Sequence, residues 1–239
     1  MNNYLPTDYQ AFIHTSRYAR WLEEDGRRES WSETVDRYIT GIVEKWTTPT
    51  IRDEIRDAIL SLEVMPSMRA MMTSGPAFER DNTAGYNCSY LAVDDPKAFD
   101  EAMFILLCGT GVGFSVERQF ISKLPDVPEL FDSETNIVIK DSKEGWAKGF
   151  RQVLALLWAG EIPKWDVTRV RPAGARLKTF GGRASGPAPL IDLFNFAITI
   201  FKNAQGRKLS SIECHDLMCK IGEVVVVGGV RRSAMISLS

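Results

Sequence analysis

Over the first 85 residues, apolar positions recur at helical spacing. Val35, Tyr38, Ile39, Ile42, Val43 and Trp46 fall on one face, and Ser30 with Glu33 has capping-box spacing ahead of them, so an amphipathic helix is expected there. Thr48-Pro49 opens another, with proline at the first helical position and Ile51, Ile55, Ile59 and Leu62 as its stripe. These are packing signals. From Tyr86 the pattern changes to short apolar strands alternating with helices, which argues for α/β architecture.

Residues 86–93 read as a strand. Asp94-Asp95-Pro96 starts a helix whose Phe99, Met103, Leu106 and Leu107 face inward and which Gly109 ends. The next strand covers 112–117, then a loop 125–134 and a short strand 136–140. Asp141 with Glu144 resembles a capping box for a helix through Trp146, Phe150, Leu154 and Leu157 that stops at Gly160. Residues 172–189 are rich in glycine, proline and basic side chains, and such a loop is either a mobile surface segment or a binding element. Helices over 190–202 and 212–221 follow, the second capped by Ser210 with Glu213. Residues 223–227, a Gly-Gly turn and 230–238 close the pattern as strand, turn, strand.

Composition narrows the function classes. Of 239 residues, 29 are basic and 31 acidic, a net charge of -2, so there is no basic field for nonspecific nucleic-acid binding. The longest uncharged runs, 104–114 and 193–201, fall short of the roughly 20 residues of a membrane span. No early basic apolar segment marks a signal peptide. Cysteines at 88, 108, 214 and 219 give neither a disulfide scaffold nor a Cys-x-x-Cys pattern, so a cytoplasmic, reducing compartment and no metal centre are expected.

By themselves the chemistry-bearing residues are ambiguous. Gly109-Thr110-Gly111-Val112-Gly113 is not a dinucleotide fingerprint, because the helix precedes it and the strand follows; its plain reading is a helix cap and turn. Cys88 alone reads as a small buried hydrophobe. Cys214 and Cys219 lie roughly 140° apart around a helix and cannot easily share a ligand, His215 between them reads as structural, and Cys108 as core. Gly228-Gly229-Val230-Arg231-Arg232 reads as a hairpin turn with solvated arginines.

Together, and in this order, the segments resemble a known family. Met65-Pro66-Ser67-Met68-Arg69-Ala70-Met71-Met72, Asn87-Cys88-Ser89-Tyr90, the 109–113 glycine run, Arg171-Pro172-Ala173-Gly174-Ala175-Arg176-Leu177-Lys178-Thr179-Phe180-Gly181-Gly182 and Gly228 to Ala234 are similar to the front half of adenosylcobalamin-dependent ribonucleotide reductases. The resemblance implies an N-terminal helical region (1–85) and the first half of a ten-stranded α/β barrel (86–239). It also implies an insertion at about 120–168, as in monomeric triphosphate reductases, where an insertion replaces the partner subunit around the effector site; a decorative surface insertion is the alternative.

The same resemblance implies residue roles. Cys88 is the N-terminal redox cysteine. Ser67, Asn87, Thr110 and Gly111 line the ribonucleoside triphosphate substrate, where glycine lets backbone approach closely. Asp95, Pro96 and Lys97 meet a deoxynucleotide effector, Arg176 and Lys178 supply phosphate contacts, and Arg231 and Arg232 belong to a specificity loop, arginine being suited to phosphate and base alike.

A whole barrel of ten strand-helix units needs on the order of 250 residues. Roughly 150 follow the helical region, and no Asn-x-Cys-x-Glu loop accompanies any of the four cysteines. The resemblance thus implies that the radical cysteine, the catalytic carboxylate, the second redox cysteine and most of the adenosylcobalamin site belong to a C-terminal fragment or chain. It further implies thiyl-radical chemistry and an external dithiol. A non-catalytic effector-binding or assembly subunit is the competing reading, and a reductase with another radical source a third.

Overall fold

The computed structural model describes residues 4–175, 183–225 and 234–239. Two compact units divide the chain, Met1–Tyr86 and Asn87–Ser239.

In the first unit, α1 (Asp8–Ile13) begins with a Thr7/Gln10 capping box and runs into a π-type turn, His14–Tyr18. Two short antiparallel strands follow, β1 (Trp21–Leu22) and β2 (Arg27–Arg28). The Ser30/Glu33 capping box forms and opens α2 (Trp31–Tyr38), and Pro49 stands at the start of α3 (Pro49–Leu60). Then come α4 (Met68–Thr73) and α5 (Pro76–Arg80). Trp31, Val35, Ile39, Val43, Ile59, Leu60 and Met71 make the core.

The expected stripes are trimmed at their ends. After Tyr38 the helix winds as a π-type segment, Ile39–Val43, and the changed pitch carries Trp46 out to 84% exposure. Leu62 lies past the end of α3 at a φ of 65°, and Ile51 is exposed.

The second unit opens with β3 (Cys88–Ala92), α6 (Lys97–Leu107) and β4 (Gly111–Ser115), a crossover that makes the two strands parallel. After the short α7 (Arg118–Ile121), the plan repeats as β5 (Phe131–Val138), α8 (Lys143–Trp158) and β6 (Glu161–Asp166), again parallel. Helices α9 (Ala188–Asn203) and α10 (Ser211–Val224) lead to β7 (Met235–Ser237), which pairs parallel to β4, giving the order β3-β4-β7. Phe99, Met103 and Leu106 of α6 pack with Phe150 and Leu154 of α8, Phe194 and Phe201 of α9, and Leu217 and Ile221 of α10. The Phe150 and Phe194 rings stack at 6.2 Å, and Trp158 meets Phe201 edge-on at 4.7 Å.

Four expectations are corrected. β5 starts at Phe131, inside the expected loop, because Asp132 to Asn136 are polar and hide the strand. β6 was not expected; Pro163 argues against a central strand, but a two-stranded sheet has only edges. Ser142, not Asp141, caps α8 by accepting from the Gly145 N–H at 2.9 Å, while Asp141 pairs with Arg171 at 2.7 Å. Glu223 and Val224 are the last turn of α10 rather than a strand, since Val224 is buried with Ile221; the closing strand is Met235–Ser237 and pairs with β4.

Candidate functional site

The three parallel strands of the second unit start side by side. Cys88 is in register with Gly111, and Val112 with Met235. The Gly111 N–H donates to the Asn87 carbonyl at 2.9 Å and the Val112 N–H to the Ala234 carbonyl at 2.9 Å, while the Ser89 hydroxyl donates to the Gly111 carbonyl at 3.0 Å. Asn87-Cys88, Thr110-Gly111 and Ala234 therefore meet at one edge of the sheet. Gly109, at a φ of 79°, turns the chain from α6 into this edge.

Strand alternation splits the sheet into two faces. Leu91, Val112, Phe114 and Met235 lie against the helical core. The opposite face carries Cys88, Tyr90, Gly111, Gly113, Ile236 and Leu238, and Cys88, Tyr90, Ile236 and Leu238 are exposed there. The two glycines of β4 leave a trough down its middle. Gly113 is the tighter of the two, because a side chain there would stand 3.0 Å from Leu238 Cδ1. None of the four cysteines is in a disulfide; Cys88 and Cys219 are exposed, Cys108 and Cys214 buried. The neighbours of Cys88 on this face, Tyr90 and Gly113, were not singled out from sequence, although the period of two along Cys88-Ser89-Tyr90 was the signal.

Expected effector residues gather at the other end of β3. A five-residue strand spans about 16 Å and the eleven residues of α6 about the same, so α6 runs from one edge of the sheet back to the other. At its start the Asp95 carboxylate accepts from the Lys97 N–H at 2.8 Å, and the Asp95 and Lys97 side chains are exposed. Near its far end Lys143 Nζ donates to Cys108 Sγ at 3.1 Å and sits 5.0 Å from the Phe104 ring.

Of the substrate-side expectations, the second unit brings Cys88, Asn87, Thr110 and Gly111 together, with Thr110 buried and Asn87 exposed. Ser67 belongs to the first unit, where it caps α4 by accepting from the Ala70 N–H at 3.1 Å. Arg176, Lys178, Arg231 and Arg232 lie outside the described residues.

The family model of the B12-dependent ribonucleotide reductase insertion domain matches residues 126–200, which takes in β5, α8, β6 and most of α9. An adenosylcobalamin-dependent ribonucleoside-triphosphate reductase of Lactobacillus helveticus is 27% identical over 92% of this chain and 40% of its own length. A putative reductase of the same description from Mycobacterium phage D29 is 27% identical over 95% of this chain and 39% of its own. Both likenesses are to B12-dependent ribonucleotide reductases. The fold agrees: the crystal structure of a B12-dependent (class II) ribonucleotide reductase superposes with a TM-score of 0.76 at 24% identity, over 95% of this chain and 41% of that one. The chain spans about 40% of the length of the curated reductases it matches.

No group of three or more His, Cys, Asp or Glu side chains among the described residues could hold a metal ion, and the open sheet face presents a thiol, a phenol and aliphatic groups. No helix among the described residues is long and apolar enough to cross a membrane.

Proposed function

We propose that this chain is the N-terminal part of an adenosylcobalamin-dependent ribonucleoside-triphosphate reductase, working with a C-terminal segment that completes the barrel. The observation that carries the reading is the exposed Cys88 thiol on the open face of a parallel sheet, in register with Gly111 and next to Asn87. Replacing a ribose 2'-hydroxyl by hydrogen takes two electrons. Two thiols provide them by closing to a disulfide while the hydroxyl leaves as water, and an external dithiol then reopens the bridge. Cys88 is one of the two thiols in this reading, and its partner comes from the completing segment. Adenosylcobalamin, held mainly by that segment, supplies the radical that starts the reaction.

In this reading Asn87, Thr110 and Gly111 of the second unit contact the substrate triphosphate, Thr110 from the turn that holds Gly111, and Ser67 of the first unit is a further substrate contact. Asp95, Pro96 and Lys97, at the opposite end of β3, take a deoxynucleotide effector together with Arg176, Lys178, Arg231 and Arg232. The separation of Asp95, Pro96 and Lys97 from Cys88 by the length of α6 favours two distinct nucleotide sites, as allosteric control requires.

The test is Cys88→Ser in the reductase reconstituted from both segments. It should keep triphosphate binding and lose repeated turnover with a small dithiol. Turnover at the parent rate would remove Cys88 from the redox pair. Arg231→Ala with Arg232→Ala should flatten the dependence of base preference on added deoxynucleotide; an unchanged response would make that turn merely structural.

A further inference from the structure

Three acceptors in the segment that follows Ser67 are held by one side chain. Arg37, on α2, shares the two hydrogens of Nη1 among the Met71 carbonyl at 2.8 Å, the Ser74 carbonyl at 3.0 Å and the Ser74 hydroxyl at 2.7 Å. Its remaining donors reach Glu29 Oε1 at 2.7 Å, Glu29 Oε2 at 2.9 Å and the Tyr18 carbonyl at 3.3 Å. The pair is buried, with side chains 12% and 5% exposed. Arg20 adds a bond to the Met72 carbonyl.

Helix α4 is too short to hold itself in water, and the last carbonyls of any helix lack intrahelical partners. Here Arg37 supplies such partners from Nη1, while its Nε and Nη2 grip Glu29 as a fork. The backbone reinforces the clamp: Gly75 turns at a φ of 84°, and a side chain at Gly41 would stand 2.8 Å from the Gly75 nitrogen. At the other end of α4, Ser67 Oγ accepts from the Ala70 N–H, which leaves its own O–H to donate outward.

We propose that Arg37, locked by Glu29, is a positioning residue of the reductase: it fixes α4 so that the Ser67 hydroxyl is presented to the ribonucleotide already in place. This rests on the reading of Ser67 as a substrate contact. A substrate-facing group gains most from support that fixes its geometry in advance, and lysine at position 37 would keep the charge but not the fork.

Hydrogen–deuterium exchange on the chain and binding of ribonucleoside triphosphates to the reconstituted reductase test it together, using Arg37→Lys, Glu29→Gln and Ser67→Ala. With Arg37→Lys, the amides of residues 68–75 should exchange on the order of tenfold faster or more, as loss of a charged hydrogen bond implies, while α3 keeps its protection. Triphosphate affinity should fall at least as far as with Ser67→Ala. Glu29→Gln should give the same pattern in milder form and serves if Arg37→Lys does not fold. Unchanged exchange over 68–75, or an equal rise throughout the unit, overturns the proposal. If Ser67→Ala weakens binding and Arg37→Lys does not, the positioning role falls and the substrate role of Ser67 stands. If Ser67→Ala binds as the parent does, the substrate role of Ser67 falls and takes this inference with it.

Discussion

Arg151 of α8 donates from Nε to one carboxylate oxygen of Asp100 on α6 at 2.8 Å, and its Nη2 lies 2.6 Å from the same oxygen as an ion pair. The other oxygen, Oδ1, is buried without a partner among the described residues. The two partners are unlike: the Asp100 side chain is 4% exposed and that of Arg151 49%. Burial pushes the Asp100 carboxyl above its ordinary range despite the pull of Arg151, whereas the same contact holds the Arg151 guanidinium more firmly charged. The opposite balance follows from where the cost of leaving water falls, almost wholly on Asp100.

That asymmetry predicts an unequal pair of mutants. Arg151→Ala strands a buried charge, which at full burial costs about 3–5 kcal/mol; Asp100 can take a proton instead, so about 1–3 kcal/mol is expected. Asp100→Leu removes the charge and leaves Arg151 to water, and should stay within about 1 kcal/mol of the parent. Because the folded carboxyl is raised, its penalty is absent at low pH and grows as pH rises through the carboxylate range, so the Arg151→Ala deficit should shrink on acidification. Urea denaturation at pH 4 and pH 7 measures both. A larger loss for Asp100→Leu would mean that the pair is a net stabiliser.

His14 predicts a second pH effect, in the first unit. Its Nε2 lies 2.9 Å from Thr34 Oγ1, and that hydroxyl already donates to Glu29 Oε2 at 3.0 Å. The neutral ring must therefore donate from Nε2. Burial lowers its pKa first, with Arg37 acting in the same direction and Glu29 against. Glu29 too is held below its ordinary range: burial pushes it up, but bonds from Arg37, the Arg20 N–H and Thr34 outweigh that. Both folded values are depressed, so the stability they contribute is complete above the unfolded values and lost as pH falls. Between pH 7 and 5 the histidine dominates, its ordinary value being about 6.5. Stability should decline there by at most about 1.4 kcal/mol per pH unit, the one-proton limit. His14→Phe should flatten the slope; a parent already flat over this range would count against a buried neutral His14.

Local chemistry was legible in the sequence wherever one residue type does one job. The Ser30/Glu33 and Ser210/Glu213 capping boxes form, Pro49 begins its helix, and Gly109 and Gly160 end theirs at φ values of 79° and 89°. What escaped notice depended on partners distant in sequence. The first half of β5 and the whole of β6 have little apolar alternation and exist because the two strands pair with each other, and the Ser237 region pairs with β4, distant in sequence. At the site, Cys88 and Gly111 were readable as residues, but their register and the shared open face with Tyr90, Gly113 and Ile236 come only from the sheet.

Thiol labelling offers a direct reading of that face. Thiolate fraction and access together set the rate of alkylation. Cys88 is exposed, while Cys219, also exposed, has its pKa raised by partial burial and by Asp216. Cys214 is buried and its thiol pushed up to about 12, and Cys108 is buried against Lys143. Iodoacetamide on the native chain should therefore modify Cys88 first, Cys219 more slowly, and Cys108 and Cys214 only on unfolding, as peptide mass spectrometry would resolve. Protection of Cys88 equal to that of Cys214 would contradict the open sheet face.

Gly111 separates what the fold needs from what a ligand needs. Its φ is not in the left-handed region, and a side chain there would stand 3.4 Å from the Ala234 carbonyl oxygen and 3.5 Å from that of Asn87, ordinary contact distances. Glycine in a strand interior costs stability relative to alanine, roughly 0.5–1 kcal/mol. Gly111→Ala should thus leave the melting temperature unchanged or slightly raised. If a ribonucleotide approaches the backbone between Cys88 and Gly111, the added methyl meets the ligand instead, and triphosphate affinity in the reconstituted reductase should fall by tenfold or more. Gly113→Ala is the contrasting case: its methyl would press on Leu238 Cδ1 at 3.0 Å, so any cost there is one of packing within the sheet. A Gly111→Ala variant that is as stable as the parent and binds triphosphate equally well would remove Gly111 from the substrate site while leaving the fold untouched.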